Sequence, residues 1–144
     1  MAIKPRYAAA CRQTVTLYNA YKEGGAQKYH KTVFTASAFL EHKRVWQEAR
    51  TGVTASNPAL LVIPQGASEC QYVEPGAFDA LTDKTRAWTL RNGDKALHGI
   101  GPDISTAQEW AELIPAKNAD VMFVQAAEAK RDLSGVIVHV EGGG

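Results

Sequence analysis

The chain has 144 residues, the size of one ordinary domain, and its 45% apolar and 22% charged content disfavours a disordered or fibrous protein. Sixteen Lys and Arg against fifteen Asp and Glu leave a net charge of +1, which on its face excludes a strongly electrostatic protein. That total hides a split. Residues 1–50 hold nine basic and three acidic side chains, net +6, while residues 51–144 hold seven basic and twelve acidic ones, net −5. Two readings are open: the two parts fold to opposite faces, or the charges interleave in space and the split has no consequence.

No segment has the roughly 20 apolar residues of a membrane span; the longest apolar run is Ala59-Leu60-Leu61-Val62-Ile63. The N-terminus, with Lys4, Arg6 and Ala8-Ala9-Ala10, lacks the apolar stretch of a secretory signal and is expected to form a basic arm over residues 1–12. Cys11 and Cys70 belong to no C-x-x-C motif and are expected to be reduced thiols, with a single disulfide as the alternative.

The dominant period is two. Thr14-Val15-Thr16-Leu17-Tyr18 alternates as a half-buried strand, and Lys28 to Phe34 is the expected return strand of a hairpin around Glu23-Gly24-Gly25, with a loop longer than two residues. Ala38 to Trp46 is expected as strand, with helix as the competing reading. Residues 47–58 are polar and turn-rich, giving a long exposed loop. Ala59 to Ile63, ended by Pro64, predicts a buried strand, and Glu74 to Leu81 a short helical turn with Pro75 at its first position. The Asn92-Gly93 pair predicts a hairpin between Trp88-Thr89-Leu90 and Lys95-Ala96-Leu97-His98. Ser105 and Gln108 have capping-box spacing for a helix that ends before Pro115. Val121 to Val124 and Val136 to Val140 are expected to close the domain as an antiparallel pair, and Gly142-Gly143-Gly144 to be a flexible tail. The sum is one domain over 1–144 with its core at 13–141: mainly β, a small antiparallel barrel or sandwich with one or two short helices and a long loop.

Catalytic signals are weak, and neither a metal nor a cofactor site is expected. His30, His42, His98 and His139 fall on four separate predicted strands or strand ends with no metal-ligand spacing, and His139 is expected to face solvent or an interface. An enzyme would need His30, His42 or His139 beside a carboxylate in a pocket. Glu109 and Glu112 are one helical turn apart, as a carboxylate pair or simply a solvated face. Gly99-Ile100-Gly101 lacks the strand-to-helix context of a dinucleotide site. Lys28, Lys31, Lys43 and Arg44 interleave with Tyr29, Phe34, Phe39 and Trp46, the ingredients of a single-strand nucleic-acid surface, although a β protein must bury most of its aromatics.

Several segments carry a resemblance. Asp83 to Gly99 is similar to a W-T-L-x-x-G-D-x-x-x-x-G stretch, here Trp88 to Gly99, of minor structural proteins of tailed bacteriophages, those of the gene cluster between capsid and tail. Tyr72-Val73-Glu74-Pro75-Gly76-Ala77-Phe78 resembles the segment that precedes it. Asp120 to Val124, followed by Val138 to Gly143, resembles their ending, and Thr14 to Asn19 their first strand. The last hairpin, Ala129-Lys130-Arg131-Asp132, departs from that pattern. The resemblance implies a non-enzymatic head-tail connector in the virion neck, made in the host bacterial cytoplasm: a head-completion or stopper-like β-barrel. It implies a homo-oligomeric ring of roughly six or twelve copies. The implied partners are the portal or adaptor on one side and the tail tube or terminator on the other, with packaged DNA as a lumen contact and no membrane. Interface residues expected on this reading are Lys4, Arg6 and Arg12 of the arm, Arg50, Thr51, Gly52 and Asn57 of the loop, and Asn92 and Asp94 of the hairpin tip. A tail terminator, another minor virion protein and a small nucleic-acid-binding barrel are the alternatives.

Overall fold

The computed structural model describes residues 10–42, 45–49, 52–56, 59–114, 117 and 120–144. The chain opens with β1 (Gln13–Glu23) and β2 (Ala26–His42), antiparallel with Glu23 opposite Ala26. Only Gly24 and Gly25 lie between them, both at positive φ (60° and 81°). The turn is therefore the tightest two-residue type, shorter than expected, because two glycines accept the conformation that matches strand twist.

β2 is bent in its middle. Gln13 faces Ala38 while Val15 faces Phe34, so β2 carries two extra residues across this step. Ala36 takes φ 49° there and its N–H donates to the Thr14 hydroxyl at 3.1 Å. Beyond the bend, the Leu40 N–H donates to the Gln13 side chain at 2.7 Å, and β2 turns to pair with a new neighbour.

β3 (Val45–Ala49) and β4 (Gly52–Ser56) pair antiparallel with each other. The region read as a long loop is thus mostly a β-ribbon. β5 (Ala59–Pro64) pairs with β2, His42 facing Ala59, and the ribbon continues that register without a shift, Val45 facing Ser56.

After β6 (Gln71–Tyr72) come α1 (Pro75–Ala80), β7 (Ala87–Trp88), β8 (Lys95–His98), α2 (Ala107–Glu112), β9 (Val121–Phe123), β10 (Ala126–Arg131) and β11 (Ile137–Gly143). Seven strands form one antiparallel sheet, β10-β11-β5-β2-β1-β8-β9, curled into a half-barrel, while β6 and β7 form a separate parallel pair. The fold is mainly β with two short helices, as expected. The strand pairing differs in two places. β9 joins β8, and β11 joins β5 and β10, so the two closing strands are not partners. The Asn-Gly turn also joins two strands of different sheets, β7 and β8, and not a hairpin.

The two edge strands, β9 and β10, are separated only by Val124 and Gln125. Val124 exchanges backbone hydrogen bonds with the 93–94 turn and Gln125 donates to the Gly143 carbonyl at 2.8 Å. A chain that crosses from one edge to the other in two residues forces the sheet to curl. The glycine tail takes part: Gly142 and Gly143 pair with Leu61 and Leu60, and Gly144 exchanges two 3.0 Å bonds with Ala59. A side chain at Gly142 would press on Leu90 and one at Gly144 on Met122.

The inner face is apolar: Val15, Leu17, Phe34, Leu40, Leu61, Ile63, Met122 and Val140 pack with Trp88 and Leu90 of the β7 segment. β1 is not half-buried. Its other face, Thr16 and Tyr18, lies under the 99–113 segment with Leu97, Leu113 and Val121. The polar atoms that enter this second cluster are matched. Thr16 donates to the Gly99 carbonyl at 2.7 Å and accepts from Gly101 N–H at 2.9 Å, and the Tyr18 hydroxyl donates to the Pro102 carbonyl at 2.6 Å.

Each helix is docked by an aromatic ring and closed by a buried lysine. Phe78 of α1 meets Tyr21 and His30, and Trp110 of α2 stacks on Tyr29 at 4.8 Å and meets Tyr18 edge-on. The α2 cap is Thr106 rather than Ser105: its hydroxyl accepts from the Glu109 N–H at 3.1 Å, one residue later than the sequence spacing suggested. Lys84 donates to the Leu81 carbonyl at 2.6 Å beside the Tyr21 and Phe78 rings. Lys95 donates to the Trp110 and Leu113 carbonyls at 2.6 and 2.9 Å beside the Trp110 and Phe123 rings. An ammonium group placed on the carbonyl end of a helix satisfies groups the helix itself leaves unpaired. Among the described residues, no helix is long and apolar enough to cross a membrane.

Candidate functional site

The expected interface residues separate into three groups. Lys4, Arg6, Arg50, Thr51 and Asn57 lie outside the described residues. Arg12, just before β1, and Asn92 are exposed, while Gly52 begins β4 opposite Ala49. Asp94 is a correction. It is 1% exposed, and its carboxylate accepts from the Asn19 amide at 2.8 Å and from the Arg91 and Ala20 N–H groups at 3.0 and 3.2 Å. The Gly-Asp of the motif is a structural clamp, because the turn it closes sits between two sheets and not at a free hairpin tip.

The charge split is only partly cancelled within the chain. Of the basic residues between 10 and 42, Lys31 reaches Asp103 at 3.1 Å across the split. Arg12, Lys22 and Lys28 have no carboxylate within 4.0 Å among the described residues. The other pairs, Arg91–Asp79, Lys117–Glu112, Arg131–Glu74, Lys130 with Glu128 and Glu141, and His139–Glu141, all join residues of the second part.

The histidines do not form a cluster. His30 and His42 share β2, contrary to the expectation of four separate strands. His30 Nε2 lies 2.8 Å from the Ala87 carbonyl and His98 Nε2 lies 2.6 Å from the Leu40 carbonyl, which fixes Nε2 as the protonated nitrogen in both. Burial lowers the His30 pKa. His139 is 8% exposed and meets Glu141 at 2.8 Å, so it faces neither solvent nor an open surface. Glu109 is spent on the α2 cap, bonding the Ser105 and Thr106 hydroxyls. Glu112 faces Lys117. Among the described residues no three His, Cys, Asp or Glu side chains converge as a metal site, and Cys11 and Cys70 are free thiols.

The aromatics expected for a stacking surface are largely consumed by packing: Phe34 is fully buried and Tyr29 lies against Trp110. Gly101 of the G-x-G serves close packing, since a Cβ there would collide with the Tyr18 hydroxyl and meet Leu97.

One feature escaped the sequence reading. The turn between β10 and β11 holds Leu133 fully in solvent and Val136 59% exposed. The Asp132 carboxylate accepts from the Ser134 N–H, the Ser134 hydroxyl and the Val136 N–H at 2.9, 2.6 and 3.0 Å. Asp-x-Ser-Gly is the legible signal for such a self-bonded turn. α2 borders an open hollow of about 220 Å³ with Pro102, Ile104 and Leu113 as apolar lining and Glu109, Glu112 and Lys117 as polar lining.

Fold and surface together define a mainly β half-barrel with a β-ribbon and a prebuilt apolar turn. The chain belongs to the family of unknown function DUF6751, whose model matches residues 10–144. No curated protein and no solved structure gives a match.

Proposed function

We propose that this chain is a structural subunit of a tailed-phage neck, a head-completion or stopper-like ring component at the head-tail junction. The observation that carries the reading is the ribbon β3–β4. Its register matches that of the β2–β5 pair, and among the described residues its strands pair only with each other. Each strand, five residues at about 3.3 Å, adds roughly 17 Å of arm beyond the half-barrel. A subunit that must touch neighbours around a ring and layers above and below it needs such reach. The sequence likeness over Trp88–Gly99 and the flanking segments supports the same reading, as do the uncancelled cations Arg12, Lys22 and Lys28. In a ring each copy meets the next through two different surfaces, which suits a chain with unequal charge in its two parts.

The test is assembly. Native mass spectrometry and electron microscopy of the chain, alone and mixed with portal and tail proteins encoded beside it, are expected to give a closed ring docked on one of them. A strict monomer in every mixture overturns the proposal. Replacing residues 45–56 by a two-residue turn is expected to leave the fold intact and abolish docking.

A further inference from the structure

We propose that Asn92-Gly93 is a latent deamidation site that the fold holds closed, and that its conversion to isoaspartate locks open the crossing between the two sheet edges. The site needs no partner, so it stands whether or not the neck reading does.

Deamidation of an asparagine is an attack within the chain. The backbone nitrogen of the next residue gives its proton to solvent base and bonds to the side-chain Cγ. The carboxamide nitrogen takes up a proton and leaves as ammonia, and a succinimide ring remains. Water then adds to either ring carbonyl, and ring opening gives aspartate or isoaspartate. The sum is asparagine plus water going to an acid plus ammonia, with no oxidant or reductant. Glycine in second place favours this reaction most, because no side chain crowds its nitrogen. The four asparagines of this chain precede Ala20, Pro58, Gly93 and Ala119, so Asn92 is the one with that neighbour. Asn19 is buried as well, with its amide bonded to Thr89 and Asp94.

The electrophile is ready and the nucleophile is not. Asn92 is exposed, and its carboxamide has no hydrogen bond among the described residues. Gly93 sits at φ 100°, and its N–H donates to the Val124 carbonyl at 2.9 Å. The Val124 N–H answers with a 2.9 Å bond to the Asp94 carbonyl. The Asp94 N–H closes the turn on the Arg91 carbonyl at 3.2 Å, and the Asp94 carboxylate holds the Arg91 N–H, the Ala20 N–H and the Asn19 amide. To react, the Gly93 nitrogen must lose the proton it shares with Val124 and swing toward Cγ. Conversion therefore waits on a local opening of the Val124 contact. Its consequence falls on the same contact. Isoaspartate routes the main chain through the former side-chain carbon and so adds one backbone atom within residue 92. The Gly93 N–H is then out of register with the Val124 carbonyl. Because Val124 and Gln125 carry the chain from β9 to β10, an opening that was transient becomes permanent.

The test uses the full chain at pH 8, in native buffer and in guanidinium chloride above its unfolding transition. Peptide mass mapping follows Asn92, and isoaspartate is counted by enzymatic methylation of its free α-carboxylate. Conversion at least about tenfold slower in the native chain is expected, together with slow amide exchange at Gly93. Equal rates in the two, or a Gly93 amide that exchanges freely while Asn92 stays unconverted, overturn the proposal. Asp94→Ala loosens the turn and is expected to raise native conversion at least about fivefold, with near-UV circular dichroism checking the fold. A folded Asp94→Ala chain that converts no faster overturns the hold assigned to the turn. Should this variant fail to fold, the native-to-unfolded ratio and the Gly93 exchange decide alone. Finally, the isoaspartate form is separated from chain converted in guanidinium chloride and returned to native buffer. It is expected to have lost exchange protection at the Val124 amide. Protection equal to that of unconverted chain means that the crossing recloses, and the lock fails.

Discussion

Asn19 and Asp94 lie 75 residues apart in sequence, and their side chains meet at 2.8 Å in the interior, where each is at most 1% exposed. The Asn19 amide also donates to the Thr89 carbonyl at 2.6 Å, and its oxygen accepts from the Thr89 N–H at 3.3 Å. Strand β1 is thus fastened to the 89–94 turn by side chains alone. That turn in turn holds Val124, where the chain passes from one sheet edge to the other. Burial pushes the Asp94 carboxyl up to about 6, with the Asn19, Arg91 and Ala20 donors and the Arg91 guanidinium pulling the other way.

A raised folded-state pKa means that the folded protein binds the proton more tightly than the unfolded chain, whose Asp titrates near 3.9. This group's contribution to stability is therefore full below about pH 4, declines as pH rises from about 4 to 6, and is flat above. Between pH 7 and pH 5 the native chain is expected to gain about 1.4 kcal/mol relative to Asp94→Asn. Urea unfolding of both chains at the two pH values measures the difference. Equal pH dependence in the two would contradict an ionised, buried Asp94. Asp94→Ala, which strands three donors, is expected to lose about 3 kcal/mol at pH 7.

Lys95 offers a second test of buried polar chemistry. Its residue is 7% exposed, and burial lowers its pKa. The ammonium donates to the Leu113 carbonyl and adds a second donor to the Trp110 carbonyl, which already accepts from the Leu113 N–H. Lys95→Met keeps the apolar stem and removes the donors, so a loss of about 2 kcal/mol is expected. The loss is expected to be local. Amide exchange at Leu113, which donates to the Trp110 carbonyl at 3.2 Å, should accelerate more than exchange at Leu17 in β1.

These elements differ in how legible they were. β1, β5 and α1 announce themselves locally, through alternation, an unbroken apolar run before Pro64, and Pro75 at a helix start. β10 does not: Ala126-Ala127-Glu128-Ala129-Lys130-Arg131 has the composition of a helix and is a strand because β11 supplies a template. Glycines 142–144 look like a tail, yet the missing side chains of Gly142 and Gly144 are what admit Leu90 and Met122. Thr16 reads as the polar side of a half-buried strand because period two marks the polar positions and not what covers them. The same limit hid the clamp at Asp94, since the partners that make it structural are distant in sequence. Leu133 was passed over because a turn residue carries no periodicity.

The two thiols are expected to separate chemically. Cys11 is 6% exposed, and burial raises its pKa, which lowers the thiolate fraction. Cys70 is half-buried, with its sulfur 3.6 Å from the Thr85 carbonyl. Reaction with a disulfide reagent at pH 8 should therefore release one equivalent quickly. The second should follow at least about tenfold more slowly, at a rate that rises with urea. Mass mapping should place the fast label on Cys70, and two equally fast thiols would contradict the burial of Cys11.

The last prediction concerns why residue 101 is glycine. A Cβ at this position would collide with the Tyr18 hydroxyl, the atom that donates to Pro102, and would stand 2.7 Å from a Leu97 methyl group. Gly101→Ala is therefore expected to destabilise by about 3 kcal/mol, through overpacking and loss of the hydroxyl's hydrogen bond. Tyr18→Phe alone leaves the Pro102 carbonyl unpaired, for about 1 kcal/mol. Removing the hydroxyl also removes the hardest part of the collision, leaving the Leu97 methyl, which a rotamer change can move. The double variant should consequently be more stable than the sum of the two single losses by at least about 1 kcal/mol. Strict additivity would mean that Gly101 is required by its backbone and not by the approach of Tyr18.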